Sequence, residues 1–400
     1  MLLQRIKQIA STDLAKVFLL VFVSKIIMFT LISFGSDFIE FGADVYFGSN
    51  FKYRAYTVDQ VFDKSLQESL PFMLTPFDAQ WYIQIAEEGY NSFALILEPR
   101  NVVFYPLFPI LIHSVNYLTH NSEWSGLLIA NLCTFGMGYF LFRLLKKDGE
   151  EETSWNTVIL LLSAPMAIFF SAVYTESLFL MITLWSFEAV RENKWWLAGI
   201  LGFFASITKI QGIILFPVFL VEYFLLHREE KSWFLPENMK KIPWLFLIPA
   251  GLLSFCTYMY SLTGDFFASF HVQQDFGVGR MLGFHPEQLL YTITHLTTWH
   301  SSYASPFDLF MFLLSLFLFG VGIKTLRPSY SVYTACMILL PVSTWTLMSY
   351  SRYVMMAFPL FFVVAQFFEK RKSWFPLTLL LSAGFMGIFT MMFINWRWVG

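Results

Sequence analysis

Four ionisable residues stand in stretches where an otherwise apolar chain makes them costly, and together they form a set able to do group-transfer chemistry. Asp78 lies in TPFDAQWYIQIAEEGY (75–90), Glu176 in VYTES (173–177), Lys209 in ITKIQG (207–212) and Arg352 in MSYSRY (348–353). A carboxylate can accept or orient the proton of an attacking hydroxyl. Arg and Lys can hold a departing phosphate and offset the charge that develops as its bond breaks. A longer string, TGDFFASFHVQQDFGVGR (263–280), adds Asp265, His271, Gln273, Gln274, Asp275 and Arg280 among aromatics. Taken alone, that string reads as a solvated loop. Metal-ligand spacings, a Ser-His-Asp arrangement and a glycine-rich phosphate loop cannot be picked out, so no cofactor or metal is expected from motifs.

The elements that must position these groups are membrane helices. The 400 residues are 56% hydrophobic and 14% charged, with 48 Phe and 13 Trp, which excludes a soluble globular class. Apolar runs of spanning length fall near 17–34, 125–145, 156–173, 175–191, 195–226, 244–262, 306–323, 330–348, 353–368 and 375–393. The run at 195–226 is long enough for two short spans, giving about eleven helices in a single all-α domain. Cys133, Cys256 and Cys336 lie inside such runs, far apart, and read as packing residues. The first run lacks a convincing cleavage signal and reads as a retained helix. A net charge of −2 without a basic domain argues against nucleic acid as a partner.

Charge placement orients the chain. FYPLFPILIHSVNYL (104–118) is short and carries Pro106, Pro109 and His113, so an interfacial or re-entrant helix is expected. With that segment not crossing and the N-terminus inside, five basic clusters all fall inside: Arg143/Lys146/Lys147, Arg191/Lys194, Arg228 to Lys241, Lys324/Arg327 and Lys370/Arg371/Lys372. A long first loop (35–124), a second loop (263–305) and the three tight turns bearing Glu176, Lys209 and Arg352 then face outward.

Each group also has a plain structural reading. Thr75 can cap a helix whose first residue is Pro76 and whose end is Gly89, with Asp78 completing a capping box. Yet at roughly 100° per residue Asp78 falls amid Trp81, Tyr82, Ile83, Ile85 and Ala86, opposite Gln80, Gln84, Glu87 and Glu88. Glu176 can favour a helix N-terminus. Lys209 and Arg352 can snorkel to the interface.

FDAQWYIQIAEEGY followed by FYPLFPIL resembles the first conserved block of the phosphatidylinositol-glycan class V mannosyltransferases and their bacterial relatives. YTESLF, TKIQGI, GDFFASFHVQQDFG and SRYVMMAFPLF follow in that family's order. The resemblance implies a GT-C type helix bundle with interfacial helices in a large first outer loop. It also implies a polyprenyl- or dolichyl-phosphate sugar donor, usually mannose, used on the outer or lumenal side. Asp78 takes the place of the family's acid, with Phe77 where Trp is usual, and Lys209 and Arg352 take the places of its phosphate-binding cations. Trp81, Tyr82, Glu176, Gln211, His271, Gln274 and Arg280 are expected to line the substrate site. The expected partners are the bilayer, the lipid-linked donor and an acceptor glycolipid or glycan, in a bacterial plasma membrane rather than the endoplasmic reticulum. A transporter or flippase of a lipid-linked substrate is the alternative, and would predict repeats and charges near the bilayer midplane.

Overall fold

The computed structural model describes residues 12–35, 66–90, 100–228, 233–275, 283–294 and 305–399. Among these every regular element is helical. The chain is an all-α, multi-pass membrane protein, and its apolar composition explains why. Outward-facing Leu, Phe and Ile on α1 (Asp13–Gly35) and α17 (Phe375–Ile394) remain exposed, as lipid requires, while the backbone groups of each helix interior are satisfied within that helix.

Among the described residues four stretches are long and apolar enough to cross a bilayer: Asp13–Gly35, Ser122–Leu145, Pro236–Thr263 and Lys372–Ile394. Several others are shorter, because the chain breaks its helices. The apolar run at 156–173 is not one helix. α6 (Glu151–Leu162) stops at Ser163-Ala164-Pro165, and the chain continues through a 3-10 turn, Ala167–Phe170, into α7 (Glu176–Arg191). Proline disfavours helix at the residue before it, which fixes the stop. The run at 195–226 divides into α8 (Trp195–Ser206) and α9 (Leu215–Leu226), separated by an extended Lys209 and the 3-10 turn Ile210–Ile214. The run at 353–368 likewise divides into α15 (Tyr350–Val354) and α16 (Phe358–Glu369), the latter opening with Pro359 in its first turn.

The segment that follows α1 contributes α2 (Leu66–Met73), α3 (Asp78–Glu88) and α4 (Leu107–Thr119). α4 packs on α3 and on α5 (Ser122–Leu145), whose Asn121 cap accepts a hydrogen bond from Trp124 N–H at 2.9 Å. α5 lies along α7, α8 lies between α7 and α10 (Leu247–Thr263), and α1 packs on α5 and α17. α11 (Ala268–Asp275) and α12 (Pro286–Thr294) follow. α13 (Pro306–Gly322) and α14 (Pro328–Val342) complete the bundle against α15 and α16.

The basic clusters gather at one end of this bundle. Arg143 pairs with Glu188, Lys146 with Asp13 and Glu151, Arg191 with Asp148, Arg327 with Glu222, and Lys372 with Glu152. Glu176 opens α7 and Arg191 closes it, so the helix's rise sets these ends roughly 22 Å apart.

Candidate active site

Asp78 begins α3 and does not complete a capping box. Thr75 lies three residues outside the helix and donates its hydroxyl to Phe72 O at 3.3 Å, and no side chain caps the helix start. The Thr75 cap expected from the sequence is therefore wrong. The chain instead enters α3 through Phe77 at φ 57°, ψ −118°, a conformation that costs a non-glycine residue about 1–3 kcal/mol. The far end of the helix is as expected, with Gly89 N–H bonded to Ile85 O at 2.9 Å. Packing on the core enforces the Phe77 strain. Val173 N–H donates to Leu74 O at 3.1 Å, and the Tyr174 hydroxyl donates to Pro76 O at 3.0 Å. These two bonds hold the entry to α3 against the VYTES turn and aim Asp78 at the bundle.

There Asp78 Oδ2 accepts from Arg352 Nη1 at 2.7 Å. Lys209 Nζ donates to Glu176 Oε1 at 2.5 Å, and Arg352 Nε lies 3.6 Å from the same oxygen. Two carboxylates and two cations, separated by as many as 274 positions in the chain, thus form one neutral cluster. The side chains of Glu176, Arg352 and Lys209 are 0%, 5% and 9% exposed, whereas that of Asp78 is 24% exposed. The cations do not snorkel. Pairing is what makes their burial tolerable, and Asp78 is the member left open.

Each turn is built to hold its charge. Gly212 lets the Lys209 turn close on α8, because a β-carbon there would sit 2.3 Å from the carbonyl carbon of Ala205. Leu107 N–H donates to Ile207 O at 3.0 Å and ties the start of α4 to the same turn. Asp308 forms a capping box with Ser305 and also accepts from the backbone N–H and hydroxyl of Ser351, at 2.9 and 2.8 Å, which secures α15 beside Arg352. Phe169, Tyr174, Tyr353 and Trp398 ring the guanidinium, with centroids 5.3, 5.5, 5.1 and 5.7 Å from its carbon. The Lys209 ammonium also lies 5.4 Å from the Tyr353 centroid. These aromatic faces favour the cations they touch.

The other expected residues divide. Tyr82 is buried near the cluster, its ring perpendicular to those of Phe104 and Phe108. Burial, with Asp78 and Glu176 nearby, pushes its hydroxyl well above the usual range, so it stays protonated. Trp81 is half-buried and stacked on Phe104 at 5.9 Å. Gln211 is buried in the turn after Lys209. His271, on α11, is exposed and bonded to Asp265 at 2.6 Å, and it holds that carboxyl below its usual range. Gln274 belongs to α11, but its side chain, like the whole of Arg280, lies outside the described residues.

Lys25 was not singled out by motif spacing, yet it anchors the site from behind. Midway along α1, its ammonium donates to Phe170 O (2.9 Å), the Ser171 hydroxyl (2.7 Å) and the Thr134 hydroxyl (3.2 Å). Those bonds tie the irregular segment between α6 and α7, through one carbonyl and one hydroxyl, to α1 and α5. The signal was available: an ionisable residue inside a spanning run requires a partner.

Comparison with known proteins gives concordant likenesses. The family described as Dolichyl-phosphate-mannose-protein mannosyltransferase matches residues 100–260. GPI alpha-1,6-mannosyltransferase 2 of Cricetulus griseus is 25% identical over 182 residues, covering 42% of this chain and 34% of the relative. The chain thus matches about a third of the length of that curated relative. The crystal structure of ArnT from Cupriavidus metallidurans bound to undecaprenyl phosphate has a similar fold, with a TM-score of 0.50 and 12% identity. That match covers 81% of this chain and 73% of ArnT. The structural likeness shows a fold shared with ArnT, and the two sequence likenesses, each over part of the chain, are to mannosyltransferases.

Proposed function

We propose that this GT-C, mannosyltransferase-like chain transfers a sugar, mannose in the first instance, from a polyprenyl-phosphate carrier to a hydroxyl of a lipid-linked or other glycan acceptor. The observation that carries the reading is the neutral cluster of Asp78, Glu176, Lys209 and Arg352, with Asp78 alone open. The donor phosphate engages Arg352 and Lys209 through charge-assisted hydrogen bonds and competes with the carboxylates for them. As Arg352 turns toward phosphate, Asp78 is released to orient the acceptor hydroxyl and take its proton. The acceptor oxygen attacks the anomeric carbon, the bond from that carbon to the phosphate oxygen breaks, and the polyprenyl phosphate leaves on the two cations. One displacement inverts the anomeric centre. Glu176, fully buried, orients Lys209 and Arg352, and Tyr82 lies one turn along α3 from Asp78.

The cluster lies at the end of α7 opposite the basic ends of the bundle. Positive charge favours the inner side, which supports a site on the outer or lumenal face. The ArnT likeness is a fold-level argument for a polyprenyl phosphate, because that structure carries undecaprenyl phosphate.

The deciding experiment is single-compartment transfer. Purified protein in detergent, given polyprenyl-phosphate-mannose and a pool of glycolipid acceptors, should release polyprenyl phosphate in step with formation of a mannosylated product. Substrate binding without any turnover, together with movement of the donor across vesicle bilayers, would instead identify a transporter.

A further inference from the structure

Four rings enclose the Arg352 guanidinium, but they are not equivalent. Phe169 and Tyr174 are sealed in the core, whereas Tyr353 and Trp398 are only half-buried. Tyr353 has a further task, since its hydroxyl accepts from Arg352 Nη2 at 3.2 Å and its ring faces Lys209. Trp398 presents its ring to Arg352 from a segment that turns back over the site after α17.

That segment is firmly placed. Asn395 is buried and donates to Gly35 O of α1 at 3.1 Å and to Met391 O at 2.8 Å. Trp396 stacks on Phe72 with centroids 4.7 Å apart and leans on Phe77 at 6.1 Å. Trp398 then stands perpendicular to the Phe77 ring at 5.0 Å, directly before Asp78 in the chain. Backbone strain marks the same three places. Phe77, Ser349 and Trp396, with φ of 57°, 62° and 56°, precede Asp78, Arg352 and Trp398 by one, three and two residues. Such strain persists only where surrounding structure enforces it, and it clusters at ligand sites.

We propose that Trp398 is the wall on which the donor's hexose ring stacks. This rests on the transfer reading above and adds the residue that recognises the sugar rather than the phosphate. With the phosphate on Arg352, the anomeric carbon is one oxygen away, so once the 2.7 Å contact between Arg352 and Asp78 has opened, the sugar ring lies beside Arg352 within reach of Trp398. The C–H face of a hexose carries partial positive charge and meets the negative π-face of an indole favourably. Stacking there turns the anomeric carbon toward the hydroxyl that Asp78 orients. Trp398 is a binding and positioning residue in this scheme.

The test separates sugar from phosphate. Binding of polyprenyl-phosphate-mannose and of sugar-free polyprenyl phosphate is measured for wild type, Trp398→Ala, Trp398→Phe and a control, Trp374→Ala, at the opposite end of the bundle. Trp398→Ala should weaken the mannose-bearing lipid by about tenfold or more, roughly the affinity carried by 1.4 kcal/mol. It should leave the sugar-free lipid within about twofold, Trp398→Phe should recover most of the loss, and the control should match wild type. Should Trp398→Ala melt early, Trp398→Leu keeps the bulk without the π-face and gives the same comparison. Equal loss on both lipids would show that the indole only shields Arg352, and an unchanged Trp398→Ala would remove it from the site; either outcome overturns the inference alone. Wild-type protein that binds neither lipid and transfers no sugar overturns the transfer reading and the inference with it.

Discussion

Asp78 and Arg352 form an ion pair in which the acid is open and the base is not. If Asp78 served only to neutralise Arg352, Asp78→Asn would lower stability and leave turnover of the folded fraction intact. The proposed role predicts more: turnover of folded Asp78→Asn, measured below its melting transition, should fall roughly 10²-fold or further. Glu87→Gln, on the exposed face of α3, should match wild type in both respects. The buried Lys209–Glu176 pair makes a different prediction. Lys209→Met strands a fully buried carboxylate and should cost about 3–5 kcal/mol. Lys209→Met combined with Glu176→Gln should recover much of that loss, and a denaturant-melt double-mutant cycle measures it. A double variant no more stable than Lys209→Met would mean that Glu176 is held chiefly by Arg352. Asp78, Glu176, Lys209 and Arg352 were all legible in the sequence, because a charge in an apolar stretch must be paired or functional. Which of them touch was not. Pairing across 274 positions depends on tertiary structure, and Thr75 was misread as a cap because local spacing says nothing of the Phe77 strain that moves the helix start.

Breaks in helices, rather than the helices themselves, carry the site. Glu176 and Arg352 follow the interruptions at 163–175 and 343–349, and Lys209 lies within the one at 207–214, where exposed backbone amides must find partners inside the bundle. Pro165 made the first interruption predictable, yet 156–173 was read as one run because its hydrophobicity is continuous across the break. Hydropathy measures burial, not backbone continuity. Lys25 and Gly212 are the supports this view singles out. Lys25→Met removes three donors to the 170–171 and 134 positions, and should increase amide exchange across 163–175 while slowing turnover. Gly212→Ala forces a β-carbon against the Ala205 carbonyl and should cost about 1–3 kcal/mol, with Lys209 displaced and donor binding weakened. A Gly212→Ala protein with normal melting and donor affinity would show that the turn tolerates a shift.

At the scale of the whole molecule, the ion pairs that join α5, α6, α7 and α9 with Arg327 and Lys372 gather at one end, and the four-charge cluster sits at the other. This polarity predicts labelling. In right-side-out vesicles a lone cysteine at Asn121 should react with an impermeant thiol reagent, and one at Lys370 should react only after permeabilisation. The reverse pattern would turn the site inward. The order in which the chain is made gives the clasp between Asp78 and Arg352 one more meaning. During synthesis Glu176 and Lys209 emerge only 33 positions apart and can neutralise each other early. Asp78 waits for Arg352, and the Trp398 that closes over them arrives later still. On the proposed transfer reading, the nascent chain gains its full set of donor-binding groups only after residue 352 has been made. A ribosome stalled before that point leaves Asp78 without the arginine that pairs with it in the folded chain.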